Sequence, residues 1–152
     1  MLKKIYLIST IFLFLTSCGY TPIHSNKSNQ NINIEILDYS GDSQINSVIK
    51  SRLTVHKNNE NAKLFKVTIN TTYEKIDLVK DIAGNIENYD LKAISVFRVK
   101  RGNLNKTFTV MEKFTMANFS DDFEEKNYEK KIKENFAVSI YQKFISRVLQ
   151  IK

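Results

Sequence analysis

The chain is 152 residues long and carries 23 lysines and arginines against 16 aspartates and glutamates, a net charge of +7. That length suits one modest domain with a single core, and one cysteine with two histidines excludes a disulfide framework and a His- or Cys-rich metal centre. Only 4 of the 23 basic residues are arginine, and the lysines are spread along the sequence, so the surplus argues for mild attraction to anionic head groups rather than for nucleic-acid binding.

Lys3 and Lys4 open the chain, and an uncharged, mostly apolar run follows from Ile5 to Leu15. A basic flank, a short apolar run and small residues make a secretory signal peptide. The run is about eleven residues, too short for a spanning helix, which needs roughly 20. Leu15-Thr16-Ser17-Cys18 resembles a bacterial lipobox: an aliphatic residue, two small residues, then a cysteine whose sulfur takes a diacylglyceryl group. Residues 1–17 are therefore read as a lipoprotein signal cleaved after Ser17. Cys18 becomes the first residue of the mature chain and the site of diacylglyceryl and N-acyl attachment. Lys3 and Lys4 leave with the signal, so 21 basic and 16 acidic residues remain, a net +5. With no second cysteine, the mature domain must be held by packing alone. Residues 18–31 read as a lipidated terminus and polar tether. Stretch 24–31 has no large apolar side chain, and His24 within it reads as a solvated linker residue.

The folded domain is expected over residues 32–152. Asn31-Ile32-Asn33-Ile34-Glu35-Ile36 alternates as a strand with its three isoleucines inward. Tyr39-Ser40-Gly41-Asp42 is expected to turn the chain. Asp42 or Ser43 then caps a helix whose Ile45, Val48, Ile49 and Leu53 form one apolar stripe bordered by Arg52. His56 ends that helix as an expected surface residue. Three alternating runs follow: Phe65 to Glu74, Tyr89 to Lys100 and Thr107 to Met116. Period two over such lengths predicts half-buried strands of an antiparallel meander. The connections 80–85 and 101–103 both pair glycine with asparagine, as hairpin turns require. Glu112 interrupts the inward face of the last strand and predicts a bulge or a local edge.

Asp121, Asp122, Glu124 and Glu125 cluster before the last helix. Acids there complement the helix dipole, Asp122 with Glu125 resembles a capping box, and no calcium-loop spacing is present, so capping is preferred to metal binding. The helix is expected from about Glu125 to Leu149, with Ile132, Phe136, Ala137, Ile140, Phe144 and Val148 as its core stripe. Tyr141, Ile145 and Leu149 fall off that stripe, which points to a partner-facing side.

The order β-α-β-β-β-α gives an α+β, two-layer sandwich: a four-stranded mixed or antiparallel sheet with two helices on one face. The first strand, joined through a helical crossover, is free to pair parallel with a neighbour. No cofactor or metal is implied. With both histidines in expected loops and the one thiol acylated, no nucleophile–base pair is at hand and no enzymatic role is expected.

Cys18-Gly19-Tyr20-Thr21-Pro22-Ile23 resembles the Cys-Gly-aromatic-x-Pro-aliphatic start of the LPS-assembly lipoproteins of the LptE type. The resemblance continues in Gln44 to Leu53, an early helix ending in Arg-Leu, then in Thr71-Thr72-Tyr73-Glu74, the meander and the terminal helix. It implies a lipid-anchored protein on the periplasmic side of the cell outer membrane. Its partner would be the LptD β-barrel, which it plugs and helps to assemble, and its role would lie in lipopolysaccharide transport. Gly19 is compatible with outer-membrane sorting. Arg98, Lys100 and Arg101, near hairpin ends, are candidates to meet lipid A phosphates, although the resemblance assigns no lipopolysaccharide-binding residues. The alternative is an auxiliary lipoprotein of an ABC-type lipid exporter, a periplasmic binding module with an apolar lipid groove.

Overall fold

A computed structural model describes residues 32–57 and 62–151. The signal peptide, Ser17, Cys18 and the tether with His24 lie outside the described residues. Asn31–Lys152 forms a compact unit by itself.

Strand β1 spans Ile32–Gly41. Ile32 and Ile34 are buried as their alternation predicts, but Ile36 only partly. The pairing shifts between Ile36 and Asp38, leaving Leu37 as an exposed extra residue. The strand does not turn at Tyr39. It runs on to Gly41, whose φ of +93° ends it sharply. The Asp42 side chain then accepts the Ile45 N–H at 2.9 Å and starts α1, Ser43–Leu53. Ile45, Ile49 and Leu53 are fully buried, and Val48 packs beside them. A 3-10 turn, Thr54–His56, follows.

The meander consists of β2 Lys63–Lys80, β3 Ile86–Arg101 and β4 Leu104–Ala117. All three strands outrun their alternating runs, β2 by the most. Sheet order is β1-β2-β3-β4, with β1 parallel to β2 and the other pairs antiparallel. Gly84 and Gly102 take the positive φ of the two hairpin turns. One face of the sheet carries Phe65, Val67, Ile69, Leu91, Ala93, Phe97, Val99, Val110 and Met116, all buried. Thr71 and Ser95 interrupt this face and satisfy each other, Oγ to Oγ at 2.7 Å.

Helix α2, Asp122–Leu149, lies over this face beside α1. The expected stripe is buried, and Phe144 stacks on Phe97 at 4.0 Å. Two expectations change here. The helix starts a turn earlier than Glu125, because Asp121 rather than Asp122 caps it, accepting from the N–H groups of Phe123 and Glu124 at 2.8 Å. Its second apolar side is also used within the chain. Ile145 is buried, Tyr141 packs against the core, and Leu149 alone of the three is exposed. The cause is that α2 touches both the sheet and α1, so two sides of it face protein.

Candidate functional site

Tyr73 and Lys75 continue the inner face of β2 beyond its apolar part, under the first turns of α2. The Tyr73 hydroxyl donates to Glu129 at 2.9 Å, and Lys75 bridges Glu125 at 2.6 Å and Glu129 at 3.2 Å. Lys133 joins Asp42 at 3.0 Å and lies over the Tyr73 ring at 3.9 Å. Burial, then the Glu129 carboxylate, pushes the Tyr73 hydroxyl well above its usual range. Burial alone would lower the Lys75 ammonium, but its two glutamates outweigh that and raise it. Three elements are thus laced together by one polar lattice whose charged side chains are mostly, though not wholly, withdrawn from water. Of the acids at the start of α2, Asp121 is engaged as the cap and Glu125 in this lattice, where it also accepts from the Phe119 N–H at 3.3 Å. Among the described residues no three His, Cys, Asp or Glu side chains converge as a metal site.

Glu112 brings no bulge, since β3 and β4 pair without a shift. It lies on an edge strand, and its carboxylate accepts from Ser139 at 2.9 Å and Lys143 at 2.6 Å on α2. His56 is not a free surface residue. Its Nε2 lies 2.9 Å from the Tyr141 hydroxyl, and burial lowers the pKa of the imidazole while raising that of the Tyr141 hydroxyl. No spacing in the sequence foretells this contact, which joins residues 85 positions apart.

The surfaces differ from end to end. Ile32 pairs with Lys63, and Lys66 with Lys100, so the start of β1 and the β3–β4 turn share one end of the sheet. β2 is 18 residues long, and its other end lies about 60 Å away at roughly 3.3 Å per residue. There the β2–β3 hairpin runs past the last β4 pairing, Asn88 with Ala117. Its turn is tied by Asp81, whose carboxylate takes both the backbone and the side-chain N–H of Asn85 at 2.8 Å. Those bonds hold the Asp81 carboxyl below its ordinary range. A turn so satisfied presents Ile82 fully exposed, with Ile76, Leu78 and Val79 behind it. Phe114 and Tyr128, their rings 6.4 Å apart, form an exposed aromatic ledge beside α2, and Phe123 in its first turn is 74 % exposed. Two shallow depressions lie beside Lys80 to Ala83 and beside Gln142 to Gln150.

Among the described residues nothing covers the sheet face away from the helices. Its centre holds Asn70, Thr72, Ile94, Val96, Thr109 and Met111, all uncharged. Arg98 and Lys100 stand on this face. Arg101 does not join them; its guanidinium turns to the helix side, 5.5 Å from the Phe65 ring. No described helix is long and apolar enough to cross a membrane.

No family model and no curated protein matches the chain. Among solved structures, rare lipoprotein B from Shewanella oneidensis superposes with a TM-score of 0.56 at 17% identity, over 77% of this chain and 98% of its own. Lipoprotein B from Nitrosomonas europaea gives 0.55 at 13% identity, over 78% and 84%. The chain has the lipoprotein B fold. Almost the whole of the Shewanella lipoprotein B chain is matched, so the likeness covers the sheet and both helices rather than one motif.

Proposed function

We propose that the chain is a lipoprotein of the LptE type, anchored through acylated Cys18 on the periplasmic side of the outer membrane. There it plugs and helps to assemble an LptD-type β-barrel that delivers lipopolysaccharide. The observation that carries this reading is the placing of a lipobox cysteine 14 residues ahead of a disulfide-free domain with the lipoprotein B fold. The surfaces support a non-enzymatic, partner-bound role. Barrel interiors are polar, and the open sheet face offers them hydroxyl, amide and small apolar groups. The hairpin and its ledge supply exposed apolar area that a solitary domain has no use for.

Affinity capture of the tagged protein from detergent-solubilised outer membrane is expected to recover a large β-barrel near one to one. Recovery of the protein alone would sink the plug. A Cys18→Ala chain is expected to lose palmitate labelling and to disappear from the outer-membrane fraction. Continued labelling would remove the anchor from the account. Crosslinks to the barrel are expected from exposed Ile82, Met111 and Phe123 and not from buried Ile145.

A further inference from the structure

We infer that the tether end of the domain is a docking surface for an anionic phospholipid bilayer, an inference that rests on reading Cys18 as the lipid-bearing residue. The sheet register carries it. Ile32 pairs with Lys63, Lys66 with Lys100, Thr68 with Arg98, and Val99 with Lys106. Lysines scattered along the sequence therefore meet in the few cross-strand rows from which the tether leaves. With Arg101 these rows hold six cations, and their acids are Glu35 and Asp38. Glu35 is a loose, half-exposed partner 3.8 Å from Lys66, and the Asp38 carboxylate accepts the Tyr39 N–H. The chain must return from Gly41 to Lys63, so α1 ends towards this end too, bringing Lys57. The far end is opposite in sign: Asp77, Asp81, Glu87, Asp121, Asp122 and Glu124 outnumber Lys80, which is paired with Asp77 at 3.3 Å.

Lys66 and Lys100 face each other directly across the ladder, and Arg98 lies diagonally from Lys66 on the same open face. Like charges set opposite destabilise a sheet, and a negative surface outside relieves the repulsion. The occupant follows from position. A span of 14 residues separates Cys18 from Ile32, at most about 46 Å of extended chain, so acyl chains on Cys18 hold this end, and not the acidic one, near the head groups. Attraction to an anionic leaflet falls off within a Debye length, about 8 Å at physiological salt. An end-on basic surface beside the tether exit meets that requirement.

The test uses the chain from Gly19 onward, which keeps the whole compact unit and lacks the acyl site. Its partition is measured on vesicles of phosphatidylglycerol with phosphatidylcholine, and on phosphatidylcholine alone. Binding is expected only to the first, and is expected to vanish at about 0.5 M salt, where the Debye length is roughly 4 Å. Lys66→Gln, Arg98→Gln and Lys100→Gln together are expected to weaken it about 100-fold, from roughly fivefold per cation. All three side chains are exposed and their mutual repulsion is removed, so a melting temperature no lower than that of the parent chain is expected; Lys63→Gln with Lys106→Gln gives an independent second variant. Ile82→Asn at the far end should change nothing. Equal partition into phosphatidylcholine, no loss in either basic variant, preference for a DNA duplex over vesicles, or displacement by inorganic phosphate at matched ionic strength would each overturn the inference. The assay contains no barrel. Failure here with a barrel still recovered from membranes removes the docking surface alone, and the reverse result removes the plug alone.

Discussion

A Cβ on residue 41 would lie 1.8 Å from the Thr71 carbonyl oxygen, and that oxygen also accepts the Asp42 N–H at 2.8 Å. Neither backbone can retreat without breaking the junction of β1, α1 and β2. Gly41→Ala is therefore expected to lower stability by about 3 kcal/mol or more, measured as a shift in the urea midpoint. Gly84 and Gly102 have open space where a Cβ would go, so alanine there is expected to cost only the strain of a positive φ, about 1–2 kcal/mol. Phe144 sits fully buried against Phe97 and Phe108. Phe144→Ala should cost about 3–5 kcal/mol in the same titration. Residues at this scale were unevenly legible. The role of Asp42 as a cap follows from local spacing. The partners of Glu112 and His56 do not, because those contacts exist only once α2 has been laid across the sheet.

At the scale of elements, α2 is two helices in one. From Phe136 on it is held by apolar burial, whereas the turns before that are held chiefly by Asp121, Glu125, Glu129 and Lys133. Burial pushes the Glu125 carboxyl up, but the Lys75 ammonium and then the Phe119 N–H outweigh it and hold the group below its ordinary 4.5. A depressed carboxyl contributes stability that is complete above the unfolded value and disappears as pH falls through the lower folded one. Melting temperature is thus expected to drop as pH falls below about 4.5, and to drop less steeply in Glu125→Gln. Asp121→Ala should cost about 1 kcal/mol through the lost cap. The strands were readable because half-burial writes period two into the sequence, whereas the helix between the first two strands left parallel pairing only open, and the register shows it. The last third of β2 was not readable, since Ile76, Leu78 and Val79 are all exposed and no buried face imposes alternation. The second apolar side of α2 was misread as facing a partner. Burial against α1 and burial against another chain ask for the same side chains, and only the fold separates them.

For the whole molecule, the length of the sheet separates two kinds of surface. Ile82 and Phe123 are exposed at the end far from Ile32, so Ile82→Ser with Phe123→Ser is expected to change stability by no more than about 0.5 kcal/mol each. The pair should nonetheless reduce barrel recovery in the affinity capture; unchanged recovery would assign contact with the barrel to another surface. Net charge alone conveyed none of this segregation, because the register, and not the sequence order, brings Lys63, Lys66, Lys100 and Lys106 together. The parallel pairing of β1 has a mechanical consequence. If the lipid anchor draws on Ile32 while a partner grips the hairpin end, tension runs along β1 and its nine register positions with β2 are loaded together in shear. An antiparallel first strand entering from the hairpin end would place its outermost bond nearest the load and peel open one bond at a time. The crossover through α1 thus gives the tether an attachment that resists pulling as a unit.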